Sequence, residues 1–211
     1  MSRFIDLTLT MREGMRGVSY DCAKELERDG WNARNLNLYS HAGTHMDAPS
    51  HFGVAGPSID EYTIEELSGP AWIVDIPQCT PKFLIQVSAL GKLADSLPPD
   101  QILLFRTGWS SHVDDTSLYR DALPRISLEL AQWCVEKKVK MVGVEPPSVA
   151  DVHNRTELQA VHRTLLEANI RIVEGLAHLD QIQKECVTFF SLPLKIHQGD
   201  GAPCRAFAIE E

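Results

Sequence analysis

No stretch of this chain approaches the ~18 consecutive apolar residues of a membrane-crossing helix. The opening residues, Met1-Ser-Arg-Phe-Ile-Asp-Leu-Thr, alternate polar and apolar and lack the long apolar core of a secretory leader. Positive charge is scarce: Lys and Arg total 20 against 29 Asp and Glu, a formal net charge of −9. Such a chain repels nucleic-acid backbones and anionic lipid surfaces, so no nucleic acid and no membrane is expected as a partner. Cysteine is sparse and poorly placed for pairing. Cys22, Cys79, Cys134, Cys186 and Cys204 form no CxxC pair, and the odd count of 5 offers no disulfide framework. Free, inert thiols in a reducing cytoplasm are the expectation. Internal repeats, low-complexity segments and Pro- or Gly-rich linkers are also missing.

What is present suits one core. A hydrophobic fraction of 44% and a charged fraction of 23% are near the globular average. One domain spanning residues 1–211 is expected, in a cytoplasmic protein. Ile5, Leu7 and Leu9 alternate with polar residues and predict a half-buried first strand. Residues 21–30 are polar and predict a short helix or loop. Alternation at Leu36 and Leu38 predicts a strand over 35–40. Residues 71–77 and 101–107 read as strands, the second apolar enough to be buried on both faces. Ser127 caps a helix predicted over 127–138. A second helix, 156–168, carries Leu158, Val161, Leu165 and Leu166 on one stripe. Strands at 140–144, 170–173, 186–196 and 204–209 complete the reading, the last two flanking a turn at 198–201. Recurring strand–helix–strand units predict an α/β fold of mixed sheets with flanking helices.

Three of the eight histidines fall within residues 41–51, in the segment His41-Ala-Gly-Thr-His45-Met-Asp47-Ala-Pro-Ser-His51. Imidazole nitrogen and carboxylate oxygen suit Zn²⁺, Mn²⁺ or Fe²⁺, so His41, His45 and Asp47 could provide three ligands to one ion. Gly43 permits a backbone bend between the two rings, and Pro49 biases Ala48 away from helix and stiffens the exit. The segment is therefore placed at a strand end and the loop beyond it. His51 could sit beside a metal without binding it. His162, on the apolar stripe of its helix, and Glu174, a carboxylate ending an apolar strand, are candidate partners from elsewhere. Trp109, after Arg106-Thr-Gly108, either lines a pocket for an aromatic ring or closes the core. Glu145-Pro146-Pro147-Ser148 either shapes the rim of a site or makes a plain turn.

The signature His-x-Gly-Thr-His-x-Asp-x-Pro-x-His at 41–51 resembles that of the metal-dependent cyclase family, which includes bacterial kynurenine formamidase, isatin hydrolase and trans-dienelactone hydrolase. Arg106-Thr-Gly-Trp109, the twelve-residue step from His162 to Glu174, and the segment from Leu192 to Pro203 extend the likeness over most of the chain. The resemblance implies that His41, His45 and Asp47 bind a first metal. Asp47 and Glu174 would bridge to a second, which His162 also binds, and His51 would be the proton donor and acceptor. It implies zinc or manganese, one or two ions per subunit, a barrel-like core, and a homodimer or higher homo-oligomer. In the formamidases an aromatic residue in an N-terminal Pro- and Trp-containing stretch touches the substrate. The matching region here, Met11 to Tyr20, has no Trp, and Trp31 follows only after a charged stretch from Lys24 to Asp29.

A divalent ion lowers the pKa of bound water toward ~7 and polarises a carbonyl. The expected activity is therefore metal-dependent hydrolysis of a small-molecule amide, with arylformamide C–N cleavage foremost. Hydrolysis of a lactone or another cyclic amide, and cyclisation of a polyketide-like substrate, use the same polarised carbonyl. A metal-stabilised binding protein without turnover would need no His51 beside its ligands.

Overall fold

The computed structural model describes residues 2–211. Twelve strands run in chain order: β1 Arg3–Asp6, β2 Val18–Lys24, β3 Ala33–Leu38, β4 His45–Asp47, β5 Ser68–Asp75, β6 Leu84–Ile85, β7 Ile102–Arg106, β8 Arg125–Ile126, β9 Met141–Val144, β10 Arg171–Glu174, β11 Cys186–Pro193 and β12 Gly201–Glu210. Five α-helices accompany them: α1 Leu26–Asp29, α2 Leu93–Ser96, α3 Thr116–Asp121, α4 Leu128–Glu136 and α5 Arg155–Glu167.

The main sheet runs β1-β12-β11-β5-β7-β9-β10-β4, and β4 also pairs with β12. That second pairing closes a seven-stranded barrel, with β1 laid on the outside of the ring order. Pairings among β5, β7, β9 and β10 are parallel; the remainder are antiparallel. The barrel-like α/β core expected from the sequence is therefore present.

Alternation along the strands explains both hydrophobic layers. Ile102 and Leu104 of β7 point into the barrel with Met46, Phe189, Ala202 and Ala206. Leu103 and Phe105 point outward and pack with Leu130, Val161 and Leu165 of α4 and α5. Both faces of β7 are buried, which is why its sequence is a continuous apolar run. The two long helices begin where their caps dictate. Ser127 accepts a hydrogen bond from Leu130 N at 3.0 Å, and Asn154 accepts one from Glu157 N at 3.2 Å.

Two sequence expectations need correction. Residues 21–24 are not helix or loop but the end of β2, which pairs with β3 as an exposed two-stranded ribbon; only Leu26–Asp29 is helical. Val18 and Tyr20 face Leu38 and Leu36 across the ribbon, but the stretch beyond them, Asp21-Cys-Ala-Lys24, has no apolar alternation of its own. The metal-ligand segment is not all loop either. The strand at 33–38 ends before it, and His45–Asp47 is itself a barrel strand, β4. Its alternation, His45-Met46-Asp47, spans only three residues, too few to mark a strand from sequence.

Candidate metal centre

The site forms where β4 closes the barrel. His45 and Asp47 are two apart on a strand and share one face, while Met46 between them turns into the core. Glu174 ends β10 directly opposite His45, and residues paired this way across antiparallel strands lie side by side. His162 comes from α5, which packs on that face, and is buried with Val161 and Leu165. His41 lies in the turn before β4, with Gly43 in the left-handed region at φ +61°. His51 lies in a single 3-10 turn, Pro49–Phe52. Thr44 clamps the approach: its hydroxyl donates to Gly175 O and accepts from Leu9 N at 2.8 Å.

The five residues expected to bind metal converge. Two overlapping triads, His41/His45/Asp47 and Asp47/His162/Glu174, each have ligand atoms mutually within 4.8 Å and share Asp47. His45 Nε2 lies 3.3 Å from Glu174 Oε2 and 3.6 Å from Asp47 Oδ1. His162 Nε2 lies 3.3 Å from Glu174 Oε1 and 3.7 Å from Asp47 Oδ2. The histidine side chains here are almost wholly buried, at 2% exposure, and Asp47 at 0%.

Hydrogen bonding fixes which nitrogen faces inward. His45 Nδ1 lies 3.0 Å from Gly43 O, and His162 Nδ1 lies 2.8 Å from Leu158 O. A carbonyl only accepts, so each Nδ1 carries hydrogen. In the neutral rings both Nε2 lone pairs then point at carboxylate oxygens. Asp47 Oδ2, fully buried, has no hydrogen-bond partner. Acceptors gathered around an orphaned buried oxygen are stable only with positive charge among them. The donor set of imidazole nitrogens and carboxylate oxygens therefore fits a divalent cation on its chemistry and on its unmet need.

The titration behaviour agrees. Burial alone would lower His45 and His162, but the Glu174 and Asp47 carboxylates raise both above the ordinary imidazole value. Burial also opposes the charged form of Glu174, yet His162 and His45 hold its carboxyl far below the usual range. His41 is pushed up to about 9, against its burial, by Asp47 and Asp200. His51 goes the other way: burial and the neighbouring rings of His41 and His162 lower it, outweighing Asp47 and Glu174. Its ring stacks on His41 with centroids 3.7 Å apart. Beside the ligand cluster, its shift runs opposite to that of His41, His45 and His162.

A cavity of about 270 Å³ opens onto His41 and Gly43. Leu9, Met15, Val113 and Tyr119 give it apolar walls, and Arg12, Arg16 and Arg120 share the lining with Glu13 and Asp114, the last paired with Arg12. Trp109 does not line it. The indole is 2% exposed and donates from Nε1 to Tyr119 O at 2.9 Å, so Trp109 closes the core and Tyr119 takes the wall. Arg106 is structural as well, pairing with Asp75 and donating to Ile182 O at 2.8 Å. Glu145 is no plain turn residue: buried to 1% exposure, it accepts from Thr107 N at 2.6 Å and from Ser110 Oγ at 2.8 Å, fixing the end of β7.

Sequence reasoning missed Asp200, whose Oδ2 lies 3.1 Å from His41 Nε2. Its signal was an acid between two glycines, which reads as an ordinary turn. All five cysteines are free; Cys22 is exposed, and Cys134 and Cys204 are buried. Among the described residues no helix is long and apolar enough to cross a membrane.

The Cyclase family model matches residues 5–151. A kynurenine formamidase from Bacillus cytotoxicus is 33% identical over 189 residues, 89% of this chain and 85% of that protein. A kynurenine formamidase from Salinibacter ruber is 34% identical over 175 residues, 83% of this chain and 78% of that protein. In structure, isatin hydrolase A from Ralstonia solanacearum aligns with a TM-score of 0.86 at 25% identity, covering 100% of this chain and 92% of its own.

Proposed function

The chain belongs to the Cyclase family, and from that premise we propose that it is a divalent-metal-dependent hydrolase cleaving the C–N bond of a small aromatic amide, as an arylformamidase does. One observation carries the metal dependence: buried Asp47 Oδ2 has no partner where two imidazole Nε2 atoms and Glu174 converge. His41, His45 and Asp47 would hold a first ion, and Asp47, His162 and Glu174 a second. Zinc and manganese both suit this nitrogen and oxygen set. Bound there, the cation supplies Lewis acidity, acidifying water and polarising a carbonyl.

The chain's own residues supply the rest. The apolar walls of the cavity beside His41 exclude water from one side of a bound aromatic ring. His51 exchanges the proton. Burial and the neighbouring rings favour its neutral form, which can accept a proton and return it to a leaving amine. His51 stacks on His41 outside both triads that share Asp47, leaving a proton-transfer group beside those ligands, which favours turnover over a purely structural metal.

A cyclic amide is the second reading. It is favoured by the likeness to isatin hydrolase A and by the cavity wall at 12–16, which lacks the aromatic residue that the formamidase resemblance implies in this region. The test is hydrolysis of N-formyl anilides and of isatin-type cyclic amides, with and without chelator, by wild type and His51→Ala. Chelator-sensitive hydrolysis is expected for wild type. His51→Ala should turn over ~10²–10⁴-fold more slowly while retaining its metal. Absence of chelator-sensitive hydrolysis of either class would overturn the assignment.

A further inference from the structure

We infer that Asp200 is a positioning residue for the metal centre: its carboxylate holds the His41 ring in the one tautomer that turns Nδ1 to the cation side. This rests on the metal-dependent reading above.

The argument starts from what the three ligand histidines share. Each has one nitrogen directed at the carboxylates of the centre and the other tied to an acceptor. For His45 the outer acceptor is Gly43 O, at 3.0 Å; for His162 it is Leu158 O, at 2.8 Å. Both are backbone groups, fixed by the fold. For His41 it is Asp200 Oδ2, a side chain, 3.1 Å from Nε2. Both carboxylates only accept, so without a cation each His41 nitrogen carries hydrogen; a cation would take the place of the Nδ1 hydrogen that faces Asp47 Oδ1, at 2.8 Å, and leave the Nε2 hydrogen on Asp200. A metal-binding histidine is commonly oriented this way by a carboxylate on its far nitrogen.

The surrounding chain is shaped for that contact. Asp200 immediately precedes β12, and its carbonyl accepts from Ala48 N at 2.9 Å, tying it to the exit of β4. Gly201 sits opposite Asp47 in the β12–β4 register. A Cβ on Gly201 would lie 2.7 Å from His41 Cε1 and 3.2 Å from Nε2, so the imidazole occupies the space that a side chain there would fill. Distance decides which ring Asp200 serves. His41 Nε2 is within hydrogen-bond reach; His51 Nδ1, at 3.7 Å, is not. The Asp200 side chain is 48% exposed. Its truncation therefore opens no cavity in the core and the fold should survive, while the His41 ring, 7% exposed, loses its outer acceptor.

The experiment measures zinc affinity of the metal-free protein by competition with a chromophoric chelator, for wild type, Asp200→Ala, Asp200→Asn and Asp47→Ala. In parallel, ¹⁵N-histidine NMR of the zinc-loaded proteins reads the His41 tautomer. Asp200→Ala should bind zinc about 10–100-fold more weakly and lose its protected His41 Nε2–H signal. Asp200→Asn, which still accepts through its amide oxygen, should lose less and keep that signal. Zinc binding by Asp200→Ala as tight as wild type, or an unchanged His41 tautomer, overturns the inference. So does loss of one whole zinc equivalent with the remainder bound as before, which would make Asp200 a ligand. Asp47→Ala separates the two levels. If it too binds zinc like wild type, the metal reading itself has failed; if it does not, only the role of Asp200 has.

Discussion

The prediction that reaches deepest into this structure is that metal removal destabilises the whole fold, and that Asp47 is the reason. Metal-free protein keeps Asp47 Oδ2 buried without a hydrogen-bond partner. A cation that binds the native state and not the unfolded chain stabilises by RT ln(1 + [L]/Kd), ~2.7 kcal/mol at a hundredfold excess over Kd. For a chain of this size each kcal/mol moves Tm by ~2–4 °C, so chelation should lower the midpoint by about 5–10 °C. The assay is thermal unfolding followed by circular dichroism, with zinc at a hundredfold excess over Kd and again with excess chelator. Asp47→Ala should unfold at the same temperature in both conditions. Wild type with one midpoint in both conditions would refute the reasoning, and so would an Asp47→Ala shift as large as wild type's.

Two further outcomes test the corrections made from the structure. Trp109→Phe removes the buried indole donor to Tyr119 O and should cost about 1–3 kcal/mol of stability in urea unfolding while leaving KM unchanged; a raised KM with unaltered stability would put Trp109 back in the pocket. Burial pushes the Cys134 and Cys204 thiols up to about 12, so a disulfide-exchange reagent at neutral pH should label exposed Cys22 in native protein and those two only after unfolding. Rapid native labelling of Cys134 would contradict the packing of α4.

The parts legible from sequence are those whose chemistry is local. Three imidazoles and a carboxylate within eleven residues, bent at Gly43, announce a ligand set on their own. Glu174 was visible as a charge ending an apolar strand, and His162 as a polar ring on an apolar helical stripe. What escaped depends on register between distant segments. Asp200 reaches His41 only because β12 begins where it does against β4. Trp109 could be placed only once α3 had brought the Tyr119 carbonyl to its indole. Of the β2–β3 ribbon only the β3 half shows locally, in Leu36 and Leu38; that 21–24 extends β2 depends on its pairing with 33–35.

Closing the barrel and assembling the site are one event. β4 has three residues, too few to be a stable strand alone, and it is held by ladders on both edges. One ladder sets Glu174 against His45; the other sets Gly201 against Asp47 and so brings Asp200 to His41. The partner strands lie more than a hundred residues away along the chain, a long loop closure whose entropy the short ladders must overcome. Four carboxylate and imidazole groups brought in by those same ladders repel or strand one another unless a cation joins them. The ion therefore acts on the weakest seam of the barrel. That is the physical reason chemistry and stability should be lost together when it is withdrawn.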